Sequence, residues 1–416
     1  MVYLSKHKLR ELIEVTRGAS LSGEYYDTKG DLIRLTLGNF DYANGGFKQN
    51  TSKEDLFYNG QVAPNFILNE GDIITPMTEQ TPGLLGSTAR IPESGKFVQS
   101  QDVGLITCFE NKIDKDYCYY LLPSPIVKKQ LAAGAQQTKI RHTSPDKIKD
   151  CIVYIPEPKE QRKIGAILST IDKLISIKRE ENAQLEALAK QIYDYWFVQF
   201  DFPNEDGKPY KSSGGKMVWN ETLKRDIPDG WSDINLFDGL DVLYGFPFAT
   251  EHFTNDPQHK PVVRIRDILE GKNSTFSSED VDEKYKLQEK DAVIGMDGNF
   301  HINIWHREDT YLNQRCVRLR EKPDSSISIL QVYFAIKPYL KAKEKVTKGS
   351  TVGHLSDKDL KAFYLVNPQY SSRFNSCSLD KIAQEMVAKR KEISELLNLR
   401  SYLLPLLMNG QITIKD

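Results

Sequence analysis

The chain has 416 residues, of which 39% are hydrophobic and 27% charged, and this length exceeds one ordinary core, so two or three soluble domains are expected. A formal net charge of -1 excludes a protein coated in positive charge, so contacts with a polyanion must come from local patches. No segment reaches the roughly 18 apolar residues of a membrane span, and the first residues lack the apolar stretch of a signal peptide. We therefore expect a cytoplasmic protein without a membrane partner.

The five cysteines give no sign of a metal site. They are scattered, with no C-x-x-C pair and no histidine at zinc-ligand spacing: Cys108, Cys118, Cys151, Cys316 and Cys377. In a reducing compartment they are expected to be free thiols.

The first predicted element is a mixed domain over residues 1–158. Its landmarks LRELIEVTRG, LIRL, LNEGDII and FVQSQDVGL are short, rich in β-forming residues and separated by Gly, Asn, Asp or Pro. This pattern is typical of strands joined by turns.

A long helix is predicted next, over residues 159–197, where Gly and Pro become rare after Pro156 and Pro158. One polar turn at Lys178 and Glu181 interrupts an apolar stripe with heptad spacing. Such a stripe is typical of a helix that pairs with another helix. The residues predicted to form it are Ile164, Ile167, Ile171, Leu174, Leu185, Leu188 and Ile192.

Residues 198–231 are predicted to be a linker. Ser212, Ser213, Gly214 and Gly215 follow one another there, and the segment also contains three prolines. Its aromatic side chains are expected to dock on the helix ends: Phe200, Phe202, Tyr210 and Trp219.

A second mixed domain, residues 232–375, repeats the landmarks of the first in the same order. Gly18 aligns with Gly245, LIRL around Arg34 with VVRI around Arg264, and LNEGDII with LQEKDAV. The segment FVQSQDVGL aligns with YLNQRCVRL, and His142 aligns with His354. The chain is therefore predicted to contain the same domain twice.

A second helix is predicted over residues 376–410, followed by a tail at 411–416. It also carries a heptad stripe, on which Lys389 and Arg400 are polar, and it aligns with the first helix after a gap of one heptad. We expect the two helices to pair; the alternative is that each packs only on the domain before it. The residues predicted to pair are Leu379, Ile382, Met386, Ile393, Leu396 and Leu403.

Along its full length the chain resembles the specificity subunits of type I restriction-modification systems. The residues that carry the likeness are PEPKEQRKIGAILSTIDKLI at 156–175, the linker FDFPNEDGKPYKSSGGKMVWNETLKRDIPDGW, IGMDGNFHINIW with YLNQRCVRL, and the ending LRSYLLPLLMNGQI. The resemblance implies an α+β fold: two related mixed α/β target-recognition domains, separated by two long conserved helices packed as an antiparallel coiled coil.

The resemblance also implies the function and the partners. Each domain would read one part of a bipartite, asymmetric site in double-stranded DNA, and the helices would dock two methyltransferase subunits and, through them, restriction and motor subunits. The partners would use S-adenosylmethionine, ATP and Mg²⁺, so the holoenzyme would methylate adenine at N6 and cleave DNA in an ATP-dependent way. This chain would bind no cofactor.

The motifs of common catalytic sites are absent from the sequence, which fits a non-catalytic subunit. There is no G-x-S-x-G, H-E-x-x-H or Walker loop, and no motif for methylation of a flipped adenine. The open alternatives are a self-contained DNA enzyme, a coiled-coil scaffold without base preference, and the specificity subunit of a methylation-only or other restriction-type system.

Candidate DNA contacts are polar side chains in glycine-rich turns. Arginine suits guanine and asparagine or glutamine suits adenine in the major groove, while serine, threonine and lysine suit phosphates. For any one residue, an ordinary turn hydrogen bond is an equal alternative. The candidates in the first domain are Arg34, Asn39, Thr78, Gln80, Ser87, Thr88, Arg90, Gln136, Gln137, Lys139, Arg141 and His142. Those in the second are Arg264, Arg266, Asp297, Asn299, Asn313, Gln314, Arg315, Lys348, Thr351 and His354.

Overall fold

The computed structural model describes residues 3–42, 44–79, 83–134, 141–323, 325–347, 353–368 and 378–414. The chain divides into two compact units, one formed by Met1–Ile175 with Glu395–Asp416 and the other by Ser176–Ser394. Each unit holds one globular domain and about half of each long helix. Within the described ranges, no helix is long and apolar enough to cross a membrane.

The first domain is built from short strands and three helices. The strands are β1 Ser5–Lys8, β2 Ile13–Arg17, β3 Tyr26–Asp27, β4 Ile33–Arg34, β5 Phe57–Tyr58, β6 Ile73–Pro76, β7 Thr78–Glu79, β8 Ala89–Arg90, β9 Phe97–Val98, β10 Val103–Cys108, β11 Arg141–His142 and β12 Ile152–Ile155. The helices are α1 Lys115–Leu121, α2 Pro125–Gly134 and α3 Pro145–Lys149, after which the long helix α4 spans Pro158–Tyr193 and ends in a π-helical turn, Asp194–Val198.

The second unit continues with the same kinds of elements. Its strands are β13 Met217–Asn220, β14 Arg225–Pro228, β15 Ser232–Asn235, β16 Leu240–Tyr244, β17 Phe253–Thr254, β18 Lys260–Val263, β19 Thr275–Ser277, β20 Ala292–Gly295, β21 Ile302–Ile304, β22 Tyr311–Leu312, β23 Cys316–Glu321 and β24 Tyr364–Asn367. Its helices are α5 Leu236–Gly239, α6 Ile265–Ile268, α7 Ile329–Thr347 and α8 Asp357–Lys361, and the second long helix, α9, spans Ser378–Met408.

Both domains have the same sheet topology. The order β2-β10-β6-β8 in the first domain matches β16-β23-β20-β21 in the second, and β3-β5-β4-β9 matches β17-β19-β18-β22. In each second sheet the last pair, β4 with β9 or β18 with β22, is parallel. The predicted pair of related mixed α/β domains is therefore confirmed.

Backbone hydrogen bonds correct the alignment of the two domains by one residue near Phe97. The amide of Ala19, which follows Gly18, donates to the Gln99 carbonyl at 2.9 Å, and the amide of Phe246, which follows Gly245, donates to the Leu312 carbonyl at 2.8 Å. Gln99 therefore corresponds to Leu312. The alignment of Phe97 with Tyr311 was wrong by one residue, which in a strand reverses the face to which every side chain points.

Arg34 and Arg264 are not equivalent either. Thr36 and Arg264 occupy the same position before a short helical turn, because their amides bond to the side chains three residues on, at 2.9 Å and 3.0 Å. Arg264 therefore corresponds to Thr36. The sequence alignment had placed it two residues too early.

Inside each unit the long helices run antiparallel. In the first unit the Asp172 carboxylate contacts Arg400 Nη1 at 2.5 Å, and the Lys163 ammonium donates to the Ile414 carbonyl at 3.2 Å. In the second unit, Lys178 pairs with Glu392 at 2.8 Å and Lys389 with Glu181 at 3.0 Å. In each unit, residues later in α4 contact residues that lie earlier in the C-terminal part of the chain. The predicted antiparallel pairing is therefore confirmed.

The apolar stripe by which α4 packs differs from the predicted stripe at every second residue of the prediction. Leu174 and Leu188 are 41% and 46% exposed, whereas their neighbours Ile175 and Ala189 are buried. Ile167 is only half-buried, and the next residue, Leu168, is fully buried. The stripe therefore runs through the buried residues 164, 168, 171, 175 and 189 and the half-buried residues 185 and 192, with spacings of three and four residues on either side of the polar turn.

The predicted stripe of α9 lies on its buried side. Leu379, Ile382 and Met386 are buried in the core of the second unit, while Ile393, Leu396 and Leu403 are half-buried. Leu403 and Leu407 pack on the core of the first domain. The helix thus pairs and also packs on domain residues in each unit, so the two packing alternatives occur together.

The segment predicted as a linker contains ordered structure. β13 and β14 form an antiparallel hairpin, and Phe202 stacks between Tyr210 and Trp231 with ring centroids 4.8 Å from each. Of the predicted anchors, Phe200 is buried and Trp219 is 56% exposed. Aromatic stacking, rather than a glycine-rich coil, sets the path of this segment.

A buried histidine lies where α9 meets the second domain. His306 is 5% exposed, its Nε2 lies 3.1 Å from Ser394 Oγ, and its Nδ1 has no hydrogen-bond partner among the described residues. Burial lowers the pKa of His306 to about 4, and the nearby charges of Arg390 and Arg307 act in the same direction. The imidazole is therefore neutral in the folded protein at pH 7.

This histidine predicts a loss of stability in acid. Because the unfolded chain takes up the proton near pH 6.5 and the folded chain only near 4, the stabilisation is complete above pH 6.5 and is lost as the pH falls toward 4. The loss is on the order of 3 kcal/mol. Denaturant unfolding of His306→Gln should show a smaller decrease between pH 7 and 4.5 than the unchanged protein, whereas His259→Gln, at an exposed position, should behave as the unchanged protein. An equal decrease in His306→Gln would contradict this assignment.

Candidate nucleic-acid interface

Predicted contact residues of the second domain line one cleft. The cleft has a volume of about 450 Å³ and joins the start of α6, the segment after β20 and the loop between β22 and β23. Its lining residues are Arg264, Ile265, Arg266, Asp297, Asn299, His301, Asn313 and Arg315. Six of the ten candidates from the sequence therefore come together, although they are spread over some fifty residues of chain.

One carboxylate organises this cleft. Asp297 contacts Arg315 Nε at 3.3 Å and His354 Nδ1 at 2.6 Å, so it holds two candidate side chains at once. The Arg315 side chain is 54% exposed. Because Asp297 is reached through Nε, the two terminal nitrogens of Arg315 can still donate together to the edge of a base.

The other arginines of the cleft have mainly neutral partners. Arg266 donates to Ser274 Oγ at 3.2 Å and Thr275 Oγ1 at 2.9 Å, and its Nε lies 3.9 Å from the Asp267 carboxylate. The Arg264 guanidinium lies 5.4 Å from the centre of the Phe253 ring, which carries no charge. Three guanidinium groups around one concave surface can bind the phosphates and guanine edges of a duplex, and Asn299 and Asn313 can pair with adenine.

His301 lines the same cleft and was not among the predicted contacts. Its position two residues after Asn299, on the same turn, is the sequence feature that could have predicted it. Gln314 is exposed between Asn313 and Arg315. Lys348 and Thr351 lie outside the described residues.

In the first domain, two candidates make their contacts inside the protein. Arg34 is 6% exposed, bonds through Nε and Nη2 to the Asp55 carbonyl at 3.1 and 2.9 Å, and stacks on the Tyr26 ring at 3.8 Å. Asn39 is buried and accepts the Thr36 amide at 2.9 Å. The polar groups of Arg34 and Asn39 are therefore engaged by neighbouring groups of the same domain.

Thr88 and Arg90 lie elsewhere in the first domain. The buried Thr88 hydroxyl donates to the Tyr119 carbonyl at 2.9 Å, and Arg90 pairs with Asp116 at 2.7 Å and lies 4.5 Å from the centre of the Tyr119 ring. Ser87 and Thr88 line a cavity of about 200 Å³ beside Arg400. Ser87 and Thr88 therefore lie beside the long helices of their unit, while Arg90 is held by Asp116 and Tyr119.

Two candidates of the first domain match the cleft of the second. His142 pairs in β11 opposite Thr78 in β7, and His354 bridges to Asp297 in the same way. Thr78 is 5% exposed, whereas His142 is exposed and Arg141 lies 3.8 Å from the buried Glu79. Gln80, Gln136, Gln137 and Lys139 lie outside the described residues.

The described cysteines are free thiols: Cys108, Cys118, Cys151 and Cys316. Burial raises the pKa of Cys151 to about 11 and of Cys316 to about 12, whereas a hydrogen bond with Cys118 lowers the pKa of Cys108. Among the residues that the structure describes, no cluster of His, Cys, Asp or Glu has the arrangement of a metal site.

A comparison with protein families identifies the two domains. The family model for the type I restriction modification DNA specificity domain matches residues 4–187 and 228–371, which covers both domains and much of the first long helix. The chain belongs to this family of type I DNA specificity subunits. The function suggested by the resemblance in the sequence is therefore supported at the level of DNA recognition.

Individual relatives agree with this assignment. The specificity subunit is 26% identical to the MjaIX specificity subunit of Methanocaldococcus jannaschii over 331 residues, 74% of this chain and 72% of that protein. It is 30% identical to the EcoBI specificity subunit of Escherichia coli over 195 residues, 46% of this chain and 41% of that protein. The crystal structure of a type I S subunit from M. genitalium shares the fold, with a TM-score of 0.55, 16% identity and coverage of 100% and 97% of the two chains.

Glycine is required where each domain brings a strand against a loop. A Cβ atom at Gly245 would lie 2.0 Å from the Asn313 carbonyl oxygen, and one at Gly18 would lie 2.2 Å from that of Ser100. Such contacts are impossible without moving the loop, because both partners are backbone.

Gly245→Ala should therefore displace the loop that carries Asn313 and Arg315, and we expect it to lower the free energy of unfolding by about 1–3 kcal/mol. Gly239→Ala is the matched control, since its Cβ would meet its neighbours at an ordinary 3.5 Å. Denaturant unfolding of both variants checks the prediction. Equal stabilities would show that the loop tolerates the displacement.

Proposed function

We propose that this specificity subunit reads a bipartite, asymmetric DNA site, one part with each domain, as the recognition component of a type I restriction-modification enzyme. The observation that carries the proposal is the cleft of the second domain, in which arginines and asparagines converge in a chain of net charge -1. A local positive surface in a nearly neutral protein favours a defined DNA contact over a general affinity for polyanions.

Direct reading of bases requires donors at fixed positions. A bidentate arginine contributes about 1–3 kcal/mol of discrimination at a guanine, provided that its guanidinium is held in place. Asp297 fixes Arg315 in this way, and Ser274 with Thr275 fixes Arg266. The second domain is therefore suited to read a part of the site that contains guanine.

The corrected alignment supports an asymmetric site. The positions of Arg264 and Arg315 in the second domain are occupied in the first by Thr36 and Asp102. Since the same fold presents opposite charges at one of these positions and a neutral residue in place of an arginine at the other, the two domains are expected to prefer different base sequences.

We propose that the long helices dock the partner subunits. Several large apolar side chains on them are exposed to solvent: Leu174 and Leu188 on α4, and Leu399 and Tyr402 on α9. Exposed apolar groups are enriched where proteins bind one another. The partners would be two methyltransferase subunits, which use S-adenosylmethionine to methylate adenine, and restriction subunits that use ATP and Mg²⁺.

The test is to co-express the chain with its methyltransferase subunits and map the methylated adenines. Exchanging residues 1–155 for the same region of a relative should change one part of the methylated sequence and leave the other part intact. The purified chain alone should show no turnover of S-adenosylmethionine. A change in both parts would contradict independent reading, and methylation without any base preference would favour a scaffold.

A further inference from the structure

The loop between β9 and β10 in the first domain has the same backbone frame as the loop between β22 and β23 in the second. The Met77 amide donates to the Asp102 carbonyl at 2.9 Å, as the Met296 amide donates to the Arg315 carbonyl at 2.9 Å. Asp102 therefore occupies the position of Arg315.

Both loops also form the same tight turn. The Val103 amide donates to the Ser100 carbonyl at 3.0 Å, and the Cys316 amide donates to the Asn313 carbonyl at 2.8 Å. An i to i+3 bond of this kind places two residues at the tip of a β-turn. In the first domain these are Gln101 and Asp102, and in the second they are Gln314 and Arg315.

The two turns differ in how their second tip residue is held. In the second domain the acid Asp297 contacts the base Arg315, whereas in the first domain the corresponding residues are Thr78 and Asp102. No ion pair or hydrogen bond of the Asp102 carboxylate occurs within the described part of the chain, where the residue is half-buried. Arg17 Nε donates to the Gln101 carbonyl at 2.9 Å, so a cation lies beside this turn.

We infer that Gln101 and Asp102 are specificity-determining residues for the part of the DNA site read by the first domain. A carboxylate accepts the amino group of cytosine, and a glutamine pairs with adenine, whereas an arginine at the equivalent place donates to guanine. At its second tip residue the turn thus offers an acceptor in the first domain, where the second domain offers donors, while both turns carry a glutamine at the first tip residue. This inference rests on the proposed function, since it names the side chains by which one domain reads DNA.

The test uses the complete complex with its methyltransferase subunits and compares methylation of every single-base variant of its site. Asp102→Ala and Gln101→Ala should lower the rate at the original sequence at least about tenfold and relax preference at one or two adjacent bases. These bases should lie in the part that changes when residues 1–155 are exchanged. Asp31→Ala and Gln61→Ala, at exposed positions of the same domain, are the matched controls and should leave the rates unchanged.

Asp102→Glu keeps the carboxylate acceptor and should retain the base preference, while Asp102→Asn should shift that preference. If both variants lose methylation entirely, the loss is due to misfolding and not to a changed base contact. Unchanged preferences in Asp102→Ala and Gln101→Ala would overturn the inference but leave the proposed function intact. Altered bases in the part read by the second domain would also overturn it. If the unchanged complex methylates no bipartite sequence, the proposed function itself fails.

Discussion

In both domains the loop that joins β9 to β10 or β22 to β23 is positioned by one close approach between two segments of backbone. The end of β2 at Gly18 lies against Ser100, and the end of β16 at Gly245 lies against Asn313, at distances that exclude any side chain on the glycine. The following amides, those of Ala19 and Phe246, then bond to the residue just before the turn. Main-chain atoms make all of these contacts, so the side chains at the tip of the turn are free to differ without disturbing the fold. The same scaffold can therefore present Arg315 in one domain and Asp102 in the other.

Much of the architecture follows from the sequence, because glycines and apolar runs mark it directly. The correspondence of Gly18 with Gly245 and of Leu68–Ile74 with Leu287–Val293 agrees with the backbone bonds. The sequence alignment of the two domains was wrong by one residue at β9 and β22, which are only two residues long. Phe97 and Tyr311 are both aromatic and look equivalent in the sequence, but the register is set by backbone pairing with the neighbouring strands. The equivalence of Asp102 with Arg315 was missed for this reason. The cleft of the second domain was found because its side chains are themselves distinctive.

The helices show a similar limit. Ile167 with Leu168 and Leu174 with Ile175 are adjacent apolar pairs, so either member satisfies a period near 3.5, and only packing selects the second. The two polar residues that interrupt the stripe of α4, Lys178 and Glu181, each meet an opposite charge on the other helix, and so does Asp172 next to the stripe. Half-exposed ion pairs contribute little to the stability of the helix pair. In another register of the two helices, however, like charges would face each other unfavourably, so the ion pairs favour the observed register.

In this proposal the turns at Gln101–Asp102 and Gln314–Arg315 contact the bases. Photocrosslinking of the assembled complex to its methylated sequence, with 5-iodouracil or 5-iodocytosine introduced one base at a time, tests it most directly. Mass spectrometry of the crosslinked peptides should recover residues 99–102 from one part of the site and 312–315 from the other. Crosslinks confined to peptides that contain Ser87–Arg90 or the long helices, with none from either turn, would contradict the account.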